Sequence, residues 1–202
     1  MLRTIYGSRT IGLPLWCRFE NVFPPEAHAA LFSSLAARET EFVKSRTATS
    51  TFGHRRSVIL WNVPEITSEF EKLIRQFLPI VIVALGCESF TPTSIVSQIT
   101  AHNDGDYYKI HSDSGNPTAQ HRKITFVYYF HPEPHAFGGG ELVLYGYAAC
   151  HKTSKSSPHI KIFPQGNTMV FFRSDVKHEV LPVSCPSSRF EDGRFTINGW
   201  VS

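Results

Sequence analysis

No run of Lys or Arg in this 202-residue chain exceeds two, and the net charge is only +3. Basic residues so scattered do not form the patch that a nucleic-acid partner needs, so none is expected. Cysteine is just as sparse: Cys17, Cys87, Cys150 and Cys185 lie far apart with no CxxC or CxxxC spacing. That pattern suggests neither a zinc knuckle nor a dense disulfide framework, and it suits a reducing, cytoplasmic setting. Long apolar runs are missing as well. The longest, "FLPIVIVALG", is about half what a membrane span needs and contains Pro79, so it reads as buried core and no membrane is expected. The first residues, "MLRTIYGSRTIGLPLWCRF", lack an apolar stretch followed by a small-residue cleavage site, so secretion is not expected. Neither an internal repeat nor a linker is visible, and the one polar low-complexity stretch, "YAACHKTSKSSP" at 147–158, reads as a mobile rim.

What is present is the composition of one folded domain spanning 1–202, with 42% apolar and 18% charged residues. Sixteen Phe and seven Tyr favour strands over a helical bundle. Residues 1–91 read as N-terminal strands and supporting helices. Pro25 with Leu31, Phe32 and Leu35 predicts a helix over about 25–38, and "RRSVILW" predicts a strand. Ile66, Phe70, Leu73, Ile74 and Phe77 predict an amphipathic helix over 65–78, with Pro79 ending or kinking it and Gly86 closing the segment beyond. Both helices should pack on a sheet. From residue 92 to 202, eight short β-branched and aromatic runs alternate with Gly, Pro, Asn and Ser clusters. They are "TSIVSQIT", "DYYKIHSD", "KITFVYYFH", "ELVLYGY", "HIKIF", "TMVFF", "HEVLPV" and "RFTINGWV". The expectation is a mainly β protein (α+β) with N-terminal helices and a double-stranded β-helix, or jelly-roll, core.

The stretch "HNDGDYYKIHSD" contains His-any-Asp twice, as His102/Asp104 and His111/Asp113. With ten His and five Asp, chance alone supplies about a quarter of one such triplet, so position must separate the two. "HNDGD" is turn chemistry, which gives Asp104 a local task of bonding its own backbone or capping the loop. "DYYKIHSD" reads as an extended strand, in which residues two apart share a face with Cα atoms about 6.6 Å apart. His111 and Asp113 can therefore grip one cation. A 2-His-1-carboxylate facial triad of the non-haem Fe(II) oxygenase kind needs one distant histidine more. His178, where a strand resumes after a loop, can lie opposite the pair if two antiparallel strands are neighbours. His121, His131, His135, His151 and His159 sit at strand ends or in loops and read as solvated rather than ligating. Further on, Arg194 and Thr196 share one face of "GRFTINGW", and a guanidinium with a hydroxyl beside it suits a distal carboxylate such as that of 2-oxoglutarate.

These residues, with "RKITFVYYFHPEPHAFGGGELVLY", closely resemble the 2-oxoglutarate and Fe(II) dependent dioxygenases of the prolyl 4-hydroxylase type. The resemblance is strong over 92–202 and loose before it. It implies His111, Asp113 and His178 as metal ligands and catalytic residues, and Arg194 and Thr196 as binders of the co-substrate carboxylate. It adds Tyr129, whose phenol would reach the same carboxylate. Where many relatives have a tyrosine nine residues before the first ligand, this chain has His102, which either takes over that contact or caps a turn. The implied cofactors are Fe(II), 2-oxoglutarate and O2, with ascorbate as a stimulant. The implied reaction is hydroxylation of an unactivated C–H bond in a small-molecule or peptidyl, amino-acid-based substrate, with proline or a prolyl residue leading. The alternatives are an oxygenase of a non-amino-acid metabolite and a non-catalytic jelly-roll binding module. Asp113 occupies the coordination position that a halogenase would give to chloride. Trp200 stands where related nucleic-acid demethylases carry a second arginine. Asn103, Tyr108 and Trp200 are candidate pocket residues, and the oligomeric state is left open.

Overall fold

Side-chain alternation along a few central strands decides the architecture. A computed structural model describes residues 3–7, 15–45, 53–146 and 159–202. In chain order the elements are β1 (Arg3–Tyr6), β2 (Trp16–Glu20), α1 (Pro25–Ala36), β3 (Val43–Lys44), β4 (Arg55–Arg56), β5 (Val58–Leu60) and α2 (Pro64–Ala84). They are followed by β6 (Ile95–His102), β7 (Tyr107–His111), β8 (Ile124–Tyr129), β9 (Gly138–Gly139), β10 (Leu142–Tyr145) and β11 (His159–Ile162). The last are β12 (Thr168–Arg173), β13 (His178–Val180), β14 (Val183–Ser184) and β15 (Arg194–Val201). All eight expected strands are present, and the expected rim segment 147–158 lies outside the described residues.

One sheet runs β1-β2-β12-β8-β15-β6-β5-β3 and the facing sheet runs β11-β10-β13-β7-β4, with antiparallel pairing throughout. This is the jelly-roll core, with helices on one flank. In β8, Ile124, Phe126 and Tyr128 turn outward to the helices, whereas Val127 and Tyr129 turn inward to Leu142 and Leu144 of the facing sheet. β15 follows the same rule: Phe195, Ile197 and Val201 join the helix-side core. The period of two then obliges Arg194, Thr196, Asn198 and Trp200 to face the jelly-roll interior.

Both helices start with proline at the first helical position, where the missing N–H costs nothing. α2 lays Phe70, Ile74, Phe77, Leu78 and Val81 against the large sheet. Two expectations about it need correction. The helix continues through Pro79 to Ala84 rather than stopping there; Pro79 is exposed, so its ring has room on the solvent face. "FLPIVIVALG" is not wholly buried, because Val83 is 79% exposed and Ile80 48%; only one face of the helix meets the sheet. Gly86, at φ +61°, closes the helix as expected, with the Cys87 N–H donating to the Ile82 carbonyl at 3.0 Å. "RRSVILW" forms two short strands, β4 and β5, which belong to different sheets.

Candidate active site

Strand pairing brings the expected histidines together. β7 and β13 are antiparallel neighbours with His178 directly opposite His111. Asp113 is not in the strand, which ends at His111; it lies in the turn just after it. The period-two argument therefore expects the pair to lie close together, but it is a turn, not a shared strand face, that brings them so. The turn is fixed by the Ser174 carbonyl, which accepts from the Asp113 N–H at 2.9 Å. The Thr125 hydroxyl, reaching in from β8, donates to Asp113 Oδ2 at 2.8 Å and lies 3.0 Å from Ser174 Oγ. These contacts aim the carboxylate back at the two imidazoles.

His111 Nε2 lies 3.6 Å from Asp113 Oδ1 and His178 Nε2 lies 3.5 Å from Asp113 Oδ2. The three ligand atoms can all fall within 4.8 Å of one another. Each Nδ1 faces a backbone carbonyl, Lys109 O at 2.8 Å for His111 and Val176 O at 2.9 Å for His178. A carbonyl only accepts, so Nδ1 carries the proton and Nε2 keeps the lone pair a metal needs. Burial first, then the neighbouring His178, lowers the pKa of His111, which favours the neutral ring. Burial alone would raise Asp113, but the adjacent imidazoles and the Thr125 hydroxyl outweigh it and hold the carboxyl below its usual range. Two imidazoles and one carboxylate on a single side are a donor set that fits divalent iron with coordination positions left open. Tyr108 stacks on the His111 ring at 3.6 Å between centroids, and Phe172 meets His178 edge-on at 4.8 Å, fixing both rings.

The triad lines a cavity of about 710 Å³ that also reaches Arg194 and Thr196. Both are buried on β15, as the alternation requires. The Arg194 Nε donates to the Gly140 carbonyl at 2.8 Å, and its guanidinium lies 5.0 Å from the centre of the Tyr129 ring. Gly140, at φ +68°, leaves no room for a side chain: a Cβ there would fall 2.7 Å from Arg194 Cδ. Arg194 has no carboxylate within ion-pair distance among the described residues, so the cavity holds a desolvated, unneutralised cation. Tyr129 is fully buried, with its hydroxyl near the Arg194 side chain but without a well-formed hydrogen bond. Its cross-strand neighbour is Thr196, and that of Arg194 is His102, so all four residues gather at one end of the cavity. His102 is buried with both ring nitrogens unpaired; burial, then Arg194 and Arg55, push its pKa well down.

Other sequence expectations fare unevenly. Tyr108 and Trp200 line the same cavity as the triad. Asn103 does not: it lines a separate cavity of about 250 Å³, because its side chain is drawn away to donate to the Arg189 carbonyl at 2.9 Å. The loop aspartate bonded to its own turn is Asp106, which accepts from the Asn103 N–H, while Asp104 accepts from the Cys185 N–H. His131 is not solvated as expected but completely buried, because it follows the central strand β8 inward. Sequence reasoning misses Thr125 and Ser174, which seat Asp113, and Arg55 and Arg122, which line the cavity. None of these carries a motif. Only the inward face of β8 hints at Thr125, the one polar residue between Ile124 and Phe126.

Known proteins resemble this chain in sequence and in fold. Residues 97–202 match the sequence profile of the 2OG-Fe(II) oxygenase superfamily. An uncharacterised PKHD-type hydroxylase of Synechocystis sp. is 38% identical over 198 residues, covering 96% of this chain, and the chain spans 65% of that relative's length. Among solved structures, a Pseudomonas putida prolyl-4-hydroxylase superposes with a TM-score of 0.65 at 19% identity, covering 92% of this chain and 91% of its own. A Trichoplax adhaerens prolyl hydroxylase, solved with a peptide fragment of hypoxia inducible factor, gives 0.64 at 20% identity, with coverages of 95% and 84%. The collagen prolyl hydroxylase of Paramecium bursaria chlorella virus 1, solved with 2OG, gives 0.57 at 17% identity, with coverages of 92% and 94%. At such identities the superpositions establish the fold.

Proposed function

The chain belongs to the 2OG-Fe(II) oxygenase superfamily, whose members use Fe(II), 2-oxoglutarate and O2, and on that premise we propose that it is a dioxygenase hydroxylating an unactivated C–H bond of an amino-acid-based substrate. The observation that carries the reading is the convergence of His111, Asp113 and His178 in one cavity with Arg194 and Thr196. Proline or a prolyl residue is the leading substrate, supported by the PKHD-type hydroxylase relative and the prolyl hydroxylase neighbours. We read the whole chain as one unit, since β4 and β5 from the N-terminal part join the two sheets and bring Arg55 into the cavity.

His111 Nε2, His178 Nε2 and an Asp113 oxygen would hold the metal, and Thr125 keeps the carboxylate turned toward it. Arg194 and Thr196 would take the distal carboxylate of 2-oxoglutarate, with the Tyr129 phenol beneath and His102 in the position to add a ring N–H. When bound, metal and co-substrate supply the oxidising power: dioxygen divides between substrate and the succinate left once CO2 is lost. The rings of Tyr108 and Phe172 hold the ligands and limit water around them.

The cavity wall also speaks to the substrate. Arg55, Arg122, Lys177 and Arg194 line it against the single carboxylate of Asp113, and none of the first three has an ion-pair partner among the described residues. Four cations less one anion leave +3, and a divalent metal with dianionic co-substrate cancels itself, so the positive excess persists. A substrate bearing a carboxylate suits that field better than a neutral metabolite. No helix among the described residues is long and apolar enough to cross a membrane.

The test is to load protein with Fe(II) and 2-oxoglutarate anaerobically, admit oxygen, and follow succinate and the mass gain of one oxygen atom. Free proline, prolyl peptides and other amino acids are the substrates to offer. Substrate-dependent succinate from wild type and none from His178→Ala is the expected result. Protein that binds 2-oxoglutarate yet releases no succinate with any of them would instead mark a non-catalytic binding module.

A further inference from the structure

We propose that His131, Glu133 and His135 form a second metal site, distinct from the triad, that takes one divalent first-row transition ion of the zinc kind. The three residues alternate in "HPEPH", on the loop that leaves β8, and their ligand atoms can lie within 4.8 Å of one another. His135 Nδ1 is 3.1 Å from Glu133 Oε2, and His131 Nε2 is 3.8 Å from Glu133 Oε1. Two imidazoles and a carboxylate suit zinc or cobalt rather than magnesium or calcium, which prefer all-oxygen sites.

His131 points most clearly to a missing ligand. It is completely buried, and neither ring nitrogen makes a well-formed hydrogen bond, although the Phe195 backbone lies close enough to favour its protonated form. Buried polar atoms are nearly always paired, so a ring with two nitrogens and no more than the Phe195 backbone beside it points to a partner from outside the protein. Burial, and after it the nearby Arg194 charge, lower its pKa well below the usual histidine range, so it can ligate without first losing a proton. Its surroundings are already fixed. Phe137 packs edge-on at 4.9 Å between ring centres, and His28 Nε2 lies 3.1 Å from the His131 carbonyl. The Gly166 N–H donates to Glu133 Oε1 at 2.6 Å, orienting the carboxylate as outer partners of metal ligands do. Glu133 and His135 are partly exposed, at 41% and 32% of their side chains, which leaves an entry path and an open coordination position. The Arg194 charge opposes a cation here, and the Glu133 carboxylate offsets it. A bound ion would pin the loop after β8 to the Gly166 turn.

The experiment is a Co2+ titration of chelator-stripped protein, read by bound stoichiometry and by the visible ligand-field spectrum. Wild type should bind two equivalents. His111→Ala/Asp113→Ala should keep one, Glu133→Gln and His135→Ala should each keep one, and His111→Ala/Asp113→Ala/His135→Ala should keep none. His131→Ala risks the fold, which is why the two partly exposed positions are used, with circular dichroism and a thermal melt as folding controls. A wild type that binds one equivalent, or Glu133→Gln and His135→Ala proteins that still bind two, overturns the second site. Neither outcome touches the triad, which the His111→Ala/Asp113→Ala protein reports on separately.

Discussion

The Thr125 hydroxyl, with the Trp200 side chain nearby, sets how Asp113 presents itself to the two imidazoles. Thr125→Val keeps the shape and removes the bond; it should weaken Fe(II) affinity by about 10- to 100-fold while leaving turnover near normal at saturating iron. An unchanged iron titration would show that the carboxylate needs no such guide. At the other end, Arg194→Lys keeps the charge but loses the planar fork, and should raise the 2-oxoglutarate concentration for half-saturation by about tenfold or more. If that concentration did not move, Arg194 would not be the carboxylate partner. The gathering of His111, Asp113, His178 and Arg194 in one cavity is legible in the sequence because the chemistry we propose for them imposes a pattern of spacing. Thr125 and Arg55 are not, since a lone hydroxyl or guanidinium acquires meaning only from what folds beside it. His131 misleads in the sequence because loop composition argues for exposure, whereas its burial is set by strand β8 entering the interior.

At the scale of elements, α2 is held by one face only, which gives a sharp contrast between neighbouring positions. Ile74 is fully buried against the large sheet, so Ile74→Ala should cost about 2–5 kcal/mol in urea unfolding, through lost contacts and the cavity left behind. Val83 on the open face is 79% exposed, and Val83→Lys should change stability by no more than about 0.5 kcal/mol. Equal costs at the two sites would mean that the helix docks in another rotation. Strand identity in β8, β12 and β15 is readable from alternating and β-branched runs, because a period of two is a local property. Partner choice is not: β2 pairs with β12 about 150 residues later, and β4 and β5 separate into different sheets despite being adjacent in sequence. The two-residue step from His111 to Asp113 likewise looks like strand, since the Ser174 carbonyl that holds the turn there is supplied from far along the chain.

Taken as a whole, the molecule buries histidines that its unfolded chain would charge, and this sets how its stability responds to acid. His102 and His131 both sit in the interior with pKa values pushed well below 6.5, chiefly by burial and then by Arg194. Below pH 6.5 the unfolded chain therefore binds protons at these rings that the folded protein refuses. Stability is fully present above that pH and falls as the medium is acidified. With His111, whose pKa burial lowers to about 3, three such histidines impose a slope approaching about 4.1 kcal/mol per pH unit once the unfolded rings are charged. Urea unfolding of metal-free protein at several pH values between 7.5 and 5 measures that slope directly, and His102→Asn or His131→Asn should each lower it by about a third. A stability that stays level across the interval would mean that water or protons reach these rings in the folded state. The dry carboxylate-binding end built from Arg194, Tyr129 and His102 would then be ruled out, because a wet His102 cannot coexist with a desolvated guanidinium directly across the strand from it.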